Sequence, residues 1–272
     1  MEKQNRLEGK VAVVTGGGRG IGRAIALGLV HAGVCVTITA ARVSEEIEAV
    51  AGEAGKDYIL PLKANVTSEK DCIRVVAETE AHFGKVDILV NNAGRGMRFI
   101  SDRFMTEPTR FWEADSNTWC MVIETNVNGP FFMAKAVLPG MIRRHWGRII
   151  NISMNHETMR RKGFSPYGPS KAVLESETII WAQDLAGTGV TVNSLLPGGA
   201  TRTGMIPYDV PEEIYHHLLS PEIIVPPLLW LVSDAADGVT GRRFNASRWD
   251  PRLPPSAGAI CSVEHAGWVM PT

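Results

Sequence analysis

The sequence predicts an α/β protein, a doubly wound parallel sheet of about seven strands with helices on both faces. Short apolar runs rich in β-branched residues alternate along the chain with longer segments of helical period, an order typical of parallel sheets. Glycine-rich or polar turns follow most of the runs. The 272 residues contain no Pro-, Gly- or Ser-rich linker and no internal repeat, so we expect one domain over residues 1–272.

Each strand is expected where an apolar run precedes a turn signal. The expected strands cover residues 11–14, 34–40, 58–63, 86–90, 148–152, 191–196 and 239–246. Segments of helical period predict helices at residues 21–31, 44–53, 69–83, 116–141, 166–186 and 226–234, with Ser44 as the cap of the second. Residues 95–115 and 203–220 are expected to be excursions from the sheet, and residues 247–272 an irregular tail.

The composition excludes several classes of function. The chain is 44% hydrophobic and 21% charged, and its net charge of −1 argues against nucleic acid or an anionic membrane as a partner. The four cysteines show no paired spacing, which indicates free thiols and neither disulfides nor a metal site. The polar start lacks an apolar signal core and no apolar run is long enough to span a membrane, so a cytoplasmic protein is expected.

A glycine-rich turn between the first strand and the first helix predicts a phosphate site. Backbone N–H groups and the positive end of the helix meet there, and glycines leave no Cβ in the way of a pyrophosphate. An ordinary tight turn is the alternative, because short glycine patterns also match by chance. The residues of the expected site are Gly16, Gly18, Arg19, Gly20, Ile21 and Gly22.

Tyr167 and Lys171 are four residues apart, which places them one turn apart on the same helix face. A phenol has a pKa of about 10, and a nearby ammonium lowers it. Tyr167 could then exchange a proton with an alcohol or carbonyl oxygen. A surface tyrosine beside an unrelated lysine is the alternative interpretation.

The chain resembles the short-chain dehydrogenase/reductase family in five features that occur in one order. They are TGGGRGIG at 15–22, NNAG at 91–94, Asn126 in a long helical segment, YGPSK at 167–171 and PGG at 197–199. The resemblance covers about residues 8–246. It implies a Rossmann-type sheet, hydride transfer between a nicotinamide cofactor and a small alcohol or ketone, and a homotetramer or homodimer.

The resemblance also implies roles for individual residues. Tyr167 would donate or accept the proton at the substrate oxygen, and Lys171 would hold the nicotinamide ribose and lower the pKa of Tyr167. Asn126 would hold a water that links Lys171 to solvent. Further cofactor contacts are implied for Asn65, Val66, Asn92, Ala93, Gly94, Pro197 and Gly198.

One position departs from the family pattern. The family has a serine that binds the substrate oxygen about thirteen residues before the tyrosine, and this chain has Met154 there. A thioether donates no hydrogen bond. Ser153 points to the opposite face if the strand is regular, and it replaces the missing hydroxyl only if a bulge intervenes. Asn155, His156 and Thr158 are other candidates in the same loop.

The residues after the second strand favour NADP over NAD. An acidic side chain there normally binds the ribose hydroxyls of NAD, but Ala40 and Ala41 occupy these positions and Arg42 follows. Together with Arg19 in the glycine turn, Arg42 suits a 2′-phosphate. The alternative is that both arginines are solvated, and NAD is retained as the second cofactor.

The substrate side carries weaker signals. Aromatic residues of the 95–115 excursion, Phe99 among them, would line an apolar pocket or anchor the loop to the body of the protein. Met205, in the 203–220 excursion, would join Met154 and Asn155 in that pocket. No metal ligands are expected.

Two functions from different classes therefore remain. One is an NADP-dependent oxidoreductase with Tyr167 as its acid or base. The other is a catalytically impaired dinucleotide-binding protein, a sensor or scaffold on the same fold, which Met154 supports. The intact Tyr167–Lys171 pair favours the enzyme, because a pure binding protein does not need an activated phenol.

Overall fold

The computed structural model describes residues 7–55, 57–207 and 210–267. Its strands are β1 (Val11–Val14), β2 (Cys35–Ala40), β3 (Ile59–Lys63), β4 (Ile88–Asn91), β5 (Gly147–Ile152), β6 (Val190–Leu196), β7 (Arg242–Asn245) and β8 (Val263–His265). They form one sheet in the order β3-β2-β1-β4-β5-β6-β7-β8. Strands β1–β7 are parallel, and β8 pairs antiparallel with β7. The doubly wound sheet is confirmed, with eight strands instead of seven.

The helices of the described residues lie between and after these strands. They are α1 (Gly20–His31), α2 (Ser44–Ala54), α3 (Glu69–Phe83), α4 (Ser116–Ile123), α5 (Gly129–Arg143), α6 (His156–Met159), α7 (Tyr167–Asp184), α8 (Glu212–His216), α9 (Val225–Leu231) and α10 (Pro255–Ser262). None of them is long and apolar enough to cross a membrane.

Two helix predictions are wrong in detail. The helix expected at 116–141 is interrupted by a π-helical turn, Glu124–Asn128, which separates α4 from α5 and contains Asn126. Ser44 is the first residue of α2 and not its cap, because Val43 holds the extended cap position and Ser44 is already helical.

The tail is also more regular than predicted. Residues 255–262 form α10, and residues 263–265 form β8. Pro255 stands at the first helical position, where its missing N–H costs nothing, so the prolines begin a helix here. Residues 268–272 lie outside the described residues. That the whole chain is one domain stays a prediction, which the single sheet supports.

Alternation along the strands builds two apolar layers. Ala12 and Val14 of β1 pack in the layer that contains Ile25 of α1, and Val13 packs in the opposite layer with Met133 of α5. The order of the strands reverses between β1 and β4. In such sheets the ligand crevice opens at the carboxyl ends of the strands beside this reversal.

A buried ion pair fastens the far side of the sheet. Arg243 of β7 is 1% exposed, and its Nη1 donates to Glu175 Oε1 of α7 at 2.6 Å. Its Nε donates to Glu264 Oε2 of β8 at 2.8 Å. The guanidinium therefore joins the helix that begins at Tyr167 to the last two strands.

We expect Arg243→Met to lower the free energy of unfolding by about 3–5 kcal/mol, because Glu175 then keeps a buried carboxylate without its cation. Urea denaturation followed by circular dichroism measures this change. Arg110→Met is the control, since Arg110 forms an exposed pair with Glu113 that contributes less than about 1 kcal/mol. Equal losses in the two variants would contradict the prediction.

Candidate active site

The glycine turn brings two backbone segments too close together for any side chain. A Cβ on Gly22 would lie 2.1 Å from Gly16 O and 2.4 Å from Asn92 Nδ2. Gly16 itself has a φ of +66°, in the left-handed region that glycine adopts readily. The turn therefore depends on glycine at both positions.

Hydrogen bonds from the end of β4 hold this turn in place. Asn92 Nδ2 donates to Thr15 O at 2.8 Å and to Gly16 O at 3.0 Å. Thr15 Oγ1 accepts from the backbone N of Asn92 and of Ala93, at 3.1 and 3.0 Å. The side chain of Asn92 thus shapes the predicted cofactor site by fixing the glycine turn.

The residues at the start of α1 fit a pyrophosphate. Arg19, the cap residue of α1, makes no side-chain hydrogen bond to the first turn, so this helix end is not capped by its own side chain. Gly18 and Gly20 are closely packed, because a Cβ on Gly18 would lie 2.9 Å from Glu46 Cβ and one on Gly20 would lie 3.0 Å from Thr203 Cγ2. A helix end of this kind binds anionic oxygens through backbone N–H groups.

Only one of the two predicted 2′-phosphate arginines lacks a carboxylate among the described residues. Arg42 is exposed and makes a weak contact from Nη2 to Met121 Sδ at 4.0 Å. Arg19 instead pairs with Glu46 of α2 at 3.3 Å. The sequence analysis did not foresee that the neighbouring helix places a carboxylate beside Arg19. The contact of either arginine with a phosphate stays a prediction.

The end of β3 is a tight turn. Asn65 Oδ1 accepts from Thr67 N at 3.2 Å, and Asn65 N donates to Asp71 at 2.8 Å. Val66 is buried and lies against Gly129, where a Cβ would come within 2.8 Å of it. Asn65 remains exposed at the carboxyl edge, and its contact with the cofactor stays a prediction.

Sequence reasoning missed Arg95. Its Nε donates to Thr125 Oγ1 at 3.1 Å, and its guanidinium lies 4.8 Å from the centre of the Phe99 ring. Burial, together with the positive charge of Arg42, lowers the pKa of Arg95. The two guanidinium groups therefore act on the same region. A basic residue directly after NNAG was the signal in the sequence.

Asn126 fastens this loop to α7. Its Oδ1 accepts from Arg95 N at 2.8 Å, and its Nδ2 donates to Arg95 O and to Ser170 Oγ, each at 2.9 Å. Asn126 is fully buried. Its predicted role as the holder of a water stays a prediction.

Tyr167 and Lys171 begin α7 on one face, as predicted. Lys171 is buried, donates from Nζ to Ile152 O at 2.7 Å, and lies 6.0 Å from the centre of the Tyr167 ring. Burial lowers the pKa of Lys171 to about 8, against the opposing effect of Glu175. Burial also raises the pKa of Tyr167 to about 12.

Burial thus opposes the lowering of the phenol pKa that the sequence predicts. The amine of Lys171 points to a backbone carbonyl, and burial is the cause of the raised pKa of Tyr167. Tyr167 is consequently protonated at neutral pH. In this state it is a proton donor.

The bulge that would let Ser153 replace the missing serine is absent. Ser153 N donates to Leu195 O at 2.9 Å, which continues the regular ladder beyond β5. Alternation then places Ser153 on the face of Asn151, whose amide donates to Thr178 of α7. The Ser153 hydroxyl is buried without a hydrogen-bond partner among the described residues. The hydroxyl is enclosed, and its contact with a substrate oxygen stays a prediction.

The loops after β5 and β6 meet beside Met154. The carbonyl of Met154 accepts from Arg243 Nη2 at 2.8 Å. Asn155 Nδ2 donates to Gly198 O at 2.9 Å, which brings the predicted pocket residue Asn155 to the turn that begins at Pro197. These contacts fix the loop in which the missing hydroxyl donor was sought.

Met205 lies next to the NNAG segment, and its predicted place in a substrate pocket stays a prediction. A Cβ on Gly96 would lie 3.3 Å from Met205 Sδ, and one on Gly94 3.7 Å from Met205 Cε. Arg98 Nη1 donates to Gly204 O at 3.1 Å. The 95–115 and 203–220 excursions therefore touch each other across the carboxyl edge.

The aromatic residues of the first excursion differ in their surroundings, and the substrate pocket expected at Phe99 stays a prediction. Phe111 and Trp112 are each 67% exposed, and Phe99 packs on a guanidinium. Phe104 makes an edge contact with Phe164 at 5.8 Å between ring centres, which anchors the loop to the start of α7. Within the described residues, no group of three or more histidine, cysteine or acidic side chains is placed to bind a metal ion.

Comparison with known proteins finds relatives over most of the chain. A family model described as short chain dehydrogenase matches residues 10–213. Acetoacetyl-CoA reductase of Shinella zoogloeoides is 34% identical over 248 residues, which cover 88% of this chain and 97% of the relative. The 3-oxoacyl-[acyl-carrier-protein] reductase FabG of Escherichia coli is 37% identical over 193 residues, 70% of this chain and 73% of the relative.

A solved structure is also similar. It is the 3-ketoacyl-(acyl-carrier-protein) reductase from Brucella melitensis, complexed with NADH, with a TM-score of 0.77 and 28% sequence identity. The match covers 88% of this chain and 97% of that chain.

We expect Gly22→Ala to weaken dinucleotide binding by at least about a hundredfold, because the new Cβ must push the turn away from Gly16 O. Titration of nicotinamide fluorescence measures the affinity. Gly52→Ala in α2 is the matched control, since a Cβ there meets nothing within 4 Å. The control is expected to keep the affinity and to stabilise its helix by about 0.5–1 kcal/mol. Equal affinities in the two variants would contradict the assignment.

Proposed function

The chain belongs to the short-chain dehydrogenase family, and from this premise we propose that it is an NADP(H)-dependent oxidoreductase that reduces a carbonyl substrate, with Tyr167 as the acid. The observation that carries the proposal is the position of Tyr167 one helical turn before the buried Lys171, whose amine lies 6.0 Å from the centre of the phenol ring and donates to Ile152 O at the carboxyl end of β5. The substrates named for the relatives, acetoacetyl-CoA and 3-oxoacyl-[acyl-carrier-protein], are carbonyl compounds and support the same reaction class.

The roles of the residues follow from their protonation states. Bound NADPH supplies the hydride to the carbonyl carbon. Tyr167 Oη donates its proton to the carbonyl oxygen, which becomes the alcohol. Lys171, with a pKa of about 8, carries its proton at neutral pH and stabilises the phenolate that remains until solvent returns a proton.

Arg42 supports NADPH as the preferred cofactor. It follows β2 at a position without a carboxylate, since the preceding residues are Ala40 and Ala41. Arg95 adds a second positive charge in the same region. Two guanidinium groups favour a 2′-phosphate over a free ribose hydroxyl.

A second candidate function has its own observation. Met154 donates no hydrogen bond, and the neighbouring Ser153 hydroxyl is enclosed. A protein with this site could bind the dinucleotide and turn it over poorly, as a sensor or scaffold does.

We also propose a homodimer or homotetramer. Exposed apolar side chains lie along α5 and α7, and they are Phe131, Ile142, Val173 and Ile180. Burial of such side chains between copies would stabilise an assembly.

Tyr167→Phe is expected to lower the turnover of ketones by NADPH about 10²- to 10⁴-fold, because the proton donor is lost. NADPH affinity should stay within about twofold. Met154→Ser is the companion variant, and it should raise turnover if the missing hydroxyl limits the rate. Tight NADPH binding with no turnover in either the unchanged protein or Met154→Ser would favour the binding protein.

Arg42→Ala is expected to weaken NADPH binding about ten- to a hundredfold and to leave NADH binding unchanged, because a charge-assisted bond to the 2′-phosphate is lost. Fluorescence titration with both cofactors measures the two affinities. Arg19→Ala is the control, and its effect should be smaller because Glu46 already engages that side chain. An equal loss of NADH affinity in Arg42→Ala would contradict the 2′-phosphate role.

A further inference from the structure

A polar cavity of about 530 Å³ opens beside Met154 at the carboxyl ends of β5, β6 and β7. The loop after β5 supplies Asn155 and Glu157, the turn after β6 supplies Gly198, and the segment after β7 supplies Ser247 and Arg248. A volume of this size suits a small molecule. The carboxyl edge of the sheet is also where this fold binds its ligands.

Hydrogen bonds fix the walls of this cavity before any ligand arrives. Glu264 accepts from the buried Arg243 at 2.8 Å, from Arg248 at 3.0 Å and from Asn245 at 3.3 Å. Ser247 Oγ donates to Asn245 Oδ1 at 2.8 Å. Because these groups are hydrogen-bonded to one another, their polar atoms have fixed positions. A ligand that binds there loses no free energy to the ordering of these side chains.

The charges of the described lining disfavour an anion. Arg248 pairs with Glu264 at 3.0 Å, and Glu157 lines the same cavity. Arg243 and Glu175 lie behind the wall and offset each other. Burial and the nearby Arg243 lower the pKa of His156, which therefore adds no positive charge at neutral pH. The carboxylates thus outnumber the guanidinium in the lining.

An apolar chain is a poor occupant as well. It would remove water from carboxylate, amide and hydroxyl groups without replacing their hydrogen bonds, at a cost for each group. A hydroxyl group both donates and accepts, so a row of hydroxyls matches carboxylate acceptors and guanidinium or amide donors together.

We propose that this cavity binds the hydroxylated end of a neutral polyhydroxy ketone, the substrate class on which the reductase acts. The proposal rests on the proposed function, since reduction requires Tyr167 and NADPH. It differs from the named substrates of the relatives, because a coenzyme A thioester carries phosphates and its acyl chain is apolar.

The first experiment compares three substrates with the full-length protein and NADPH. They are 1,3,4-trihydroxybutan-2-one, the matching butan-2-one and acetoacetyl-CoA. We expect kcat/KM for the trihydroxy ketone to exceed both others by at least about tenfold, since a site built for hydroxyls rejects analogues that lack them. Equal or higher values for butan-2-one or acetoacetyl-CoA would overturn the proposal.

Two variants test the lining, each with a matched control on α2, which packs against β2 and β3. Ser247→Ala should raise KM for the trihydroxy ketone about three- to tenfold with kcat unchanged, and Ser44→Ala should not. Glu157→Lys should shift the ratio of kcat/KM values about three- to tenfold towards acetoacetyl-CoA, and Glu48→Lys should not. Unchanged values in both lining variants would also overturn the proposal.

Calorimetry with the NADPH-loaded protein distinguishes an error in the proposed ligand of the cavity from an error in the proposed reductase function. Binding of the trihydroxy ketone without turnover would support the cavity and contradict the reductase. Turnover of simple ketones without preferential binding of the trihydroxy ketone would support the reductase and contradict the cavity. The absence of trihydroxy ketone binding would overturn the cavity proposal in either case.

Discussion

The hydrogen bonds between the ends of β1 and β4 are the constraint on which the site depends. Asn92 and Thr15 join the two strands where the winding of the sheet reverses, through hydrogen bonds of 2.8 to 3.1 Å. Because these bonds pull the NNAG segment against the glycine turn, Gly22 has no room for a Cβ. The same close packing directs the N-terminus of α1 towards the crevice at the carboxyl ends of the strands. One set of contacts therefore shapes both the turn and the edge at which we propose that the dinucleotide binds.

The helix α7 connects this edge to the rest of the molecule through buried charge. Lys171 faces Ile152 at one level, and Glu175, one turn later, pairs with Arg243. Ser194 Oγ also donates to Glu175 at 3.0 Å, so the carboxylate is held by two strands. The carboxylate raises the pKa of Lys171, against burial, which lowers it. The charge of Lys171 is thus coupled through Glu175 to Arg243 of β7, which also donates to the carbonyl of Met154.

The loop around Met154 shows how a site can keep its proton donor while its substrate side changes. Tyr167 and Lys171 lie on a helix, and the helix fixes their spacing whatever follows β5. The hydrogen-bond donor that the family has after β5 belongs to a loop. Its chemistry depends on which side chains come together in that loop. In this chain the loop meets Gly198 and the guanidinium of Arg243, and the surroundings are polar. The aromatic residues in the sequence suggested an apolar pocket on the proposed substrate side. The loop that lies there is instead surrounded by hydrogen-bonding groups.

The sequence by itself determined the sheet, the glycine turn and the Tyr167–Lys171 face, because these depend on local patterns: apolar runs, turn glycines and the period of a helix. Tertiary structure alone decided the rest. Ser153 is enclosed because the β5–β6 ladder stays regular, and Arg19 is engaged because α2 brings Glu46 beside it. Arg243 contacts residues 68 and 89 positions away in the sequence, so no local pattern could assign its partners, although two arginines in an expected buried strand were a signal. The cavity is likewise built from four separate segments, and only their meeting gives it a shape and a charge.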